Sequence, residues 1–194
     1  MKSKDARAWI SLGIVLLGVS FYSFVSLVRE KDAEPVLASA GHVVTLSGLP
    51  VRVTIPKIRV DATVETVGLT PTGDVDTPKD PARAAWFAAG PRPGEVGSAV
   101  VVGHFGWRDN TPAVFDDLHT LAKGDLLYVE DDKGATITFV VRELRRYAPA
   151  SDSSYVFLSN DGKAHLNLIT CEGVWDAASK SYSKRLVVFT DEVT

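Results

Sequence analysis

A chain of 194 residues, 45% hydrophobic and 23% charged, has room for one packed domain of ordinary size but not for two large ones. Its formal net charge is −3, and setting aside Lys2, Lys4, Asp5 and Arg7 leaves −5 on the remainder, so no basic stripe is present to bind nucleic acid. A single cysteine excludes an internal disulfide, and no glycine-rich phosphate loop or dinucleotide fingerprint occurs.

Residues Trp9 to Val28 carry no charged side chain, a run about as long as a helix needs to cross a bilayer. It exceeds the apolar core of a cleaved signal peptide and no A-x-A site follows directly, so an uncleaved transmembrane anchor is expected over 9–28. Three cations before the span against one acid make residues 1–8 a cytoplasmic stub. The protein is therefore expected in the plasma membrane, single-pass, with everything beyond about Arg29 outside. Residues 29–48 lack periodicity and read as a linker, leaving 49–194 as the folded domain. Outside the cytoplasm the lone thiol stays free, which points to use.

Within that domain Val51, Val53 and Ile55 alternate with Arg52 and Thr54 as a strand that Pro56 ends, and a second strand follows over 58–67. Gly68, Pro71 and Gly73 mark turns. From Pro78 to Gly97 repeated proline and glycine forbid a long regular element, and Trp86 and Phe87 are expected to anchor the segment to the core. An apolar strand over 99–102 runs into Gly103-His104. Pro112 suits the first turn of a short helix, with Thr111 as its N-cap and Val114, Phe115 and Leu118 on one face. Residues 126–130 and 135–144 form a hairpin around a polar loop, and a turn-rich segment, 151–162, leads to a strand ending at Cys171. A polar segment then runs to Tyr182 before a last strand over 186–189. Seven or eight short strands at roughly ten-residue spacing predict a mostly β domain, a closed barrel or a sandwich.

Leu166 and Leu168 set the parity of the cysteine's strand, putting Cys171 on the face of Asn167 and Ile169 at the strand's exit. A lone buried cysteine is ordinarily a small hydrophobe. Arg185 changes that reading, because it sits at the far end of the following loop and its permanent charge can stabilise a thiolate or a developing oxyanion. His104, at the end of its own strand, is the candidate acid–base. Of the other histidines, His42 falls in the linker and His119 on a helix end. His165 lies six residues before Cys171, roughly 20 Å along a straight strand and too far for proton transfer.

With these residues in place, the chain resembles the sortases, the cysteine transpeptidases of bacterial cell surfaces. The resemblance rests on Pro93-Gly94-Glu95 through Val102-Gly103-His104, on Pro112 to Phe115 with Leu118 and Gly124-Asp125, on Leu168 to Cys171, and on Arg185 to Val188. It implies a closed eight-stranded sortase-type β-barrel with short helices, and His104, Cys171 and Arg185 as the catalytic trio. It also implies cleavage of a Thr–Gly-type bond in the C-terminal sorting signal of a secreted protein, through a thioester that an amine of the cell envelope resolves. Thr170 matches the family's threonine before the cysteine, which is associated with substrate and oxyanion contacts. Asn167 departs from the family pattern, which often has threonine there, and this bears on the subfamily; a compact single-anchor sortase of class F or E is the expectation. No cofactor is expected. Some sortases use calcium, and Asp116-Asp117 and Glu130-Asp131-Asp132 carry suitable oxygens, but solvated turns are the preferred reading. A cysteine hydrolase passing the acyl group to water and a non-enzymatic tethered barrel that binds peptide or wall polymer are the alternatives.

Overall fold

The structure, a computed structural model, describes residues 47–149 and 151–194. The expected stub (1–8), anchor (9–28) and all but the last two residues of the linker (29–48) lie outside the described residues. Eight strands form the domain: β1 (Pro50–Ile55), β2 (Val60–Val67), β3 (Ala84–Phe87), β4 (Gly97–Gly103), β5 (Leu126–Asp131), β6 (Thr136–Tyr147), β7 (Ala164–Asp176) and β8 (Ser181–Glu192). They close into a barrel in the order β1-β2-β3-β4-β7-β8-β6-β5, so no edge is left open. The β2–β3 and β4–β7 pairs are parallel and the others antiparallel.

Period-2 alternation explains the barrel. Val53 and Ile55, Ala99 and Val101, Leu166 and Leu168, and Leu186 and Val188 all face inward and are buried, with Phe139, Leu127 and Val129 completing the wall. Phe115, Leu118 and Leu121 come from the loop between β4 and β5 and plug the interior. Strand β4 is buried at all seven positions, because its outer face is covered as well. There Val100, Val102 and Ile169 meet Val67, Val75 and Phe157, while Val187 and Phe189 meet Val156. This second apolar layer, laid on the outside of β4, β7 and β8, lines a cleft beside the cysteine.

Three expectations are corrected. In place of a helix over 112–118, residues 114–117 form a turn followed by a 3-10 turn at Leu118–Thr120, and Thr111 is extended. The caps come from Asp116, whose carboxylate accepts from the backbone N–H of Ala113 (2.9 Å) and of Gly106 (2.6 Å). Second, Cys171 is not at a strand exit. Strands β7 and β8 run on as a two-stranded ribbon with its tip at 177–180, bulged near Gly173, where φ is +94°. Solvent on both ribbon faces removes the alternation that would mark it. Third, the linker's last residues belong to the barrel: Ser47 O accepts from Arg92 Nη1 (2.7 Å) and Gly48 N–H donates to Asp131 Oδ2 (2.7 Å). Between Pro78 and the start of β4 at Gly97 the segment holds only the four residues of β3, and Trp86 is buried with its indole N–H on Pro91 O (3.0 Å).

Candidate active site

Strand β7 places Leu166, Leu168 and Thr170 toward the interior and Asn167, Ile169 and Cys171 outward. Cys171 is only partly buried, and its register partner on β8 is Arg185. Its side chain forms part of the wall between two clefts. One, of about 650 Å³, is lined by His104, Phe105, Trp107, Trp175 and Tyr182 among others. The second, of about 430 Å³, holds Arg185, Val102, Ile169, Phe157 and Val187. Cys171 and Thr77 line both. The structure thus brings Cys171 together with Arg185 across a strand pair and with His104 around one cavity, although no hydrogen bond joins the three.

Each member is held by its own partners. His104 Nε2 lies 2.7 Å from Pro78 O, and a carbonyl can only accept, so Nε2 carries the proton and Nδ1 is left as the basic nitrogen. The ring packs against Trp107 with centroids 4.6 Å apart, and the His104 carbonyl accepts from Phe115 N–H (3.1 Å). Arg185 donates from Nη1 to Tyr182 O (3.2 Å) and Lys184 O (3.1 Å), and from Nη2 to Ser181 Oγ (3.1 Å). Of its five N–H groups, the Nε–H and one Nη2–H remain for a ligand. Burial pushes the Cys171 thiol above its ordinary range, and the Arg185 charge pulls it back down in part. At neutral pH the sulfur is therefore mainly a thiol, and a base must take its proton before it can attack.

Thr170 is buried, and its hydroxyl donates to Gly103 O (2.8 Å), tying β7 to β4 immediately before His104. Asn167, at the departure from the family pattern, donates from Nδ2 to Val156 O (2.6 Å) and so pins the covering helical turn Ser154–Phe157 to β7. His165, the rival imidazole, lies at the opposite end of β7. It bridges Asp191 Oδ1 (2.8 Å) and Asp161 Oδ1 (3.0 Å) and takes no part in the cysteine's clefts. Of the carboxylates considered for calcium, Asp131 accepts from Gly48, Lys133 and Ala135, and Asp132 from Leu49.

Sequence reasoning missed the aromatic wall. Trp175 and Tyr182 fell in a segment read as polar, and Phe105 and Trp107 followed the strand end. Their rings form a chain, Phe105 edge-on to Tyr182 (5.4 Å) and Trp175 edge-on to Tyr182 (5.2 Å). Large aromatic side chains without periodic partners, in an otherwise polar stretch, were the available signal.

Barrel and clefts together define a mostly β enzyme organised around one thiol. Residues 53–193 match the family model for the sortase domain. Among solved structures, the chain is similar to sortase C-1 from Actinomyces oris, at 25% identity and a TM-score of 0.59 over 74% of this chain and 73% of that one. It is likewise similar to sortase C2 of pilus island 1 from group B Streptococcus, at 25% identity and a TM-score of 0.56 over 74% and 73%. A lid mutant of sortase A from Corynebacterium diphtheriae shares the fold, at 21% identity and a TM-score of 0.58 over 76% and 72%. No curated protein sequence matches the chain. The chain belongs to the sortase family and is a cysteine transpeptidase.

Proposed function

We propose that this sortase cleaves a Thr–Gly-type bond in the C-terminal sorting signal of secreted proteins and joins the new carboxyl end to an amine of the cell envelope. Residues 9–28 anchor it in the plasma membrane with the barrel outside. Class F or E is the assignment we favour on the sequence; the solved relatives carry both class A and class C labels, so fold likeness does not choose among classes. The observation that carries the reading is the position of Cys171 in the wall shared by two clefts, with Arg185 opposite it and His104 around one of them.

In this mechanism Nδ1 of His104 takes the Cys171 proton as sulfur bonds to the scissile carbonyl carbon. The imidazolium then returns that proton to the departing amine. Arg185 offers its two uncommitted N–H groups to the tetrahedral oxyanion or to the substrate carbonyls, a fixed fork that lysine lacks. Thr170 holds β7 and β4 together behind them and contributes through backbone position, since its hydroxyl is committed to Gly103.

The test is incubation of the full chain with Thr–Gly sorting peptides, with and without an added amine, read by intact mass. A thioester on Cys171 and an amine-dependent ligated product support the reading. Release to water alone, at every amine concentration, makes the protein a hydrolase instead, and binding with no covalent adduct overturns both.

A further inference from the structure

The transfer chemistry leaves one buried imidazole unused. His165, at the start of β7, stands between two carboxylates: Nδ1 is 2.8 Å from Oδ1 of Asp191, its register partner on β8, and Nε2 is 3.0 and 3.1 Å from the two oxygens of Asp161. A neutral ring carries one N–H, so it donates to one carboxylate and sets a lone pair against the other. Only the imidazolium satisfies both. The side chain is 5% exposed and borders a cavity of about 400 Å³, which gives its proton a route to solvent. Facing it are Asp161 and Asp191; Arg142 of β6, which binds Asp191 Oδ1 at 2.7 Å and has Glu143 beside it; and Lys163 and Glu192 on the cavity wall. The two arms are unequal. Asp191 is fixed in a strand and by Arg142, whereas Asp161 stands on an exposed bend. Its carboxyl is held well below the usual carboxylate range, first by His165 and then by the Lys163 N–H and the Ser159 hydroxyl, so it stays ionised wherever an imidazole titrates.

Asp161 belongs to the segment 151–163 between β6 and β7. Ser151, Ser153, Val156 and Phe157 of that segment line the cleft that holds Cys171 and Arg185, yet Val156 is the one buried residue in it. Between Val156 and Asp161 its hydrogen bonds to the barrel, among the described residues, are Asn167 Nδ2 on Val156 O and His165 on Asp161. Asn167 Oδ1, and the Oη of Tyr147 packed against Val156, are buried without a hydrogen-bond partner, which leaves this cover short of full stabilisation. Elements held by so few ties open first. Resting on the function proposed above, we infer that His165 and Asp161 are positioning residues: the protonated imidazole fastens segment 151–163 over the cleft and its deprotonation releases it, so acidity tightens the grip on the peptide that acylates Cys171. When the proton leaves, Asp191 keeps the remaining N–H because its strand and Arg142 hold it in place. Asp161 then faces a lone pair and turns to solvent, and the wall carrying Val156 and Phe157 loses its second tie.

The experiment uses the full chain in detergent, from about pH 5.5 to 8.5. Amide hydrogen exchange over 151–163, corrected for the intrinsic pH dependence of exchange, is read by mass spectrometry, and KM and kcat are measured for thioester formation with a Thr–Gly peptide. Protection of the segment should fall, and KM rise, by about fivefold or more across the range. Dividing each parent KM by that of a variant at the same pH cancels what Cys171 and His104 contribute to both. Asp161→Ala should have the released KM and exchange at every pH. In Asp161→Asn the Nδ2–H donates to the lone pair of the neutral ring, so the segment stays fastened at high pH and the rise disappears. Glu192, whose carboxyl burial pushes up, is the rival titrating group on the cavity wall, and Glu192→Gln should leave the response in place. Exchange that is indifferent to pH in the parent, a response that survives in Asp161→Asn, or one that vanishes in Glu192→Gln overturns the inference. A pH-dependent exchange with no thioester at any pH supports the fastening and overturns the function proposed above, so the two fail separately.

Discussion

Gly103 is the residue on which the site's geometry is most tightly set. It ends β4 facing inward, its carbonyl holds the Thr170 hydroxyl, and His104 follows it. A Cβ placed there meets Phe115 Cδ2 and falls 2.6 Å from Val114 Cγ1 and 2.7 Å from Phe115 Cε2. Carbon atoms pack at about 3.5–4.0 Å, so Gly103→Ala demands roughly an ångström of movement from a fully buried phenylalanine whose backbone N–H also holds the His104 carbonyl. Overpacking of this kind costs about 1–3 kcal/mol, and the buried ring cannot swing outward to relieve it, so we expect about 2–3 kcal/mol. In a domain of this size that lowers the melting temperature by roughly 6 °C or more. The assay is urea unfolding of Gly103→Ala, Phe115→Leu and the double variant. Trimming the ring must recover at least about 1 kcal/mol of the alanine's cost, a coupling that distant sites do not show. If Gly103→Ala unfolds within about 0.5 kcal/mol of the parent, or the two changes simply add, the packing argument is refuted.

Further outcomes follow from the same geometry. Because burial raises the Cys171 thiol and Arg185 opposes that rise, alkylation by iodoacetamide should climb with pH to a midpoint above that of a free cysteine; Arg185→Gln should move the midpoint higher still, and an unmoved midpoint would separate the two side chains electrically. His104→Ala should keep the fold but lose at least about a hundredfold in acyl transfer, read as ligated product per hour; retained turnover would move the acid–base role elsewhere. Asp131 is held below the usual carboxylate range: burial works against this, but the N–H groups of Ala135, Gly48 and Lys133 outweigh it, with the Lys133 charge adding to them. A lowered folded pKa stabilises above the unfolded pKa, and that stability is lost as pH falls through the folded value. Asp131→Ala should therefore melt several degrees lower at neutral pH, with the gap closing in acid; a gap that is constant with pH would mean the carboxylate charge does not matter.

The sequence made the barrel walls legible where period-2 alternation marks the inward face, as in Val53 and Ile55 and in Leu166 and Leu168; Val51 breaks the pattern, since a register shift between Pro50 and Arg52 leaves it exposed. It hid the ribbon beyond Cys171, since most of Glu172 to Lys184 is exposed and its cross-strand aromatic pair, Trp175 with Tyr182, stands in an otherwise polar stretch. The helix expected at Pro112 failed for a related reason. Val114, Phe115 and Leu118 are apolar because they fill a barrel opening, and tight turns deliver them there as well as a helix would. Cys171 and Arg185 could be singled out by their chemistry and parity although both lie inside strands, and His104 because it follows the end of β4. What no spacing could show was the second apolar layer outside β4, β7 and β8, whose partners are far apart in the chain and which lines one of the thiol's two approaches.

In the closed order of strands, β1 stands four seams from β7 in either direction, so the chain enters the barrel diametrically opposite the sulfur. Gly48 is clasped by Asp131 just before β1, and β1 is bonded on both flanks to β2 and β5. A tug arriving along the leading segment would load these ladders in shear, the stiffest direction of a sheet, and would be spent on the far wall. The reactive groove lies across the barrel from the wall that would carry such a load.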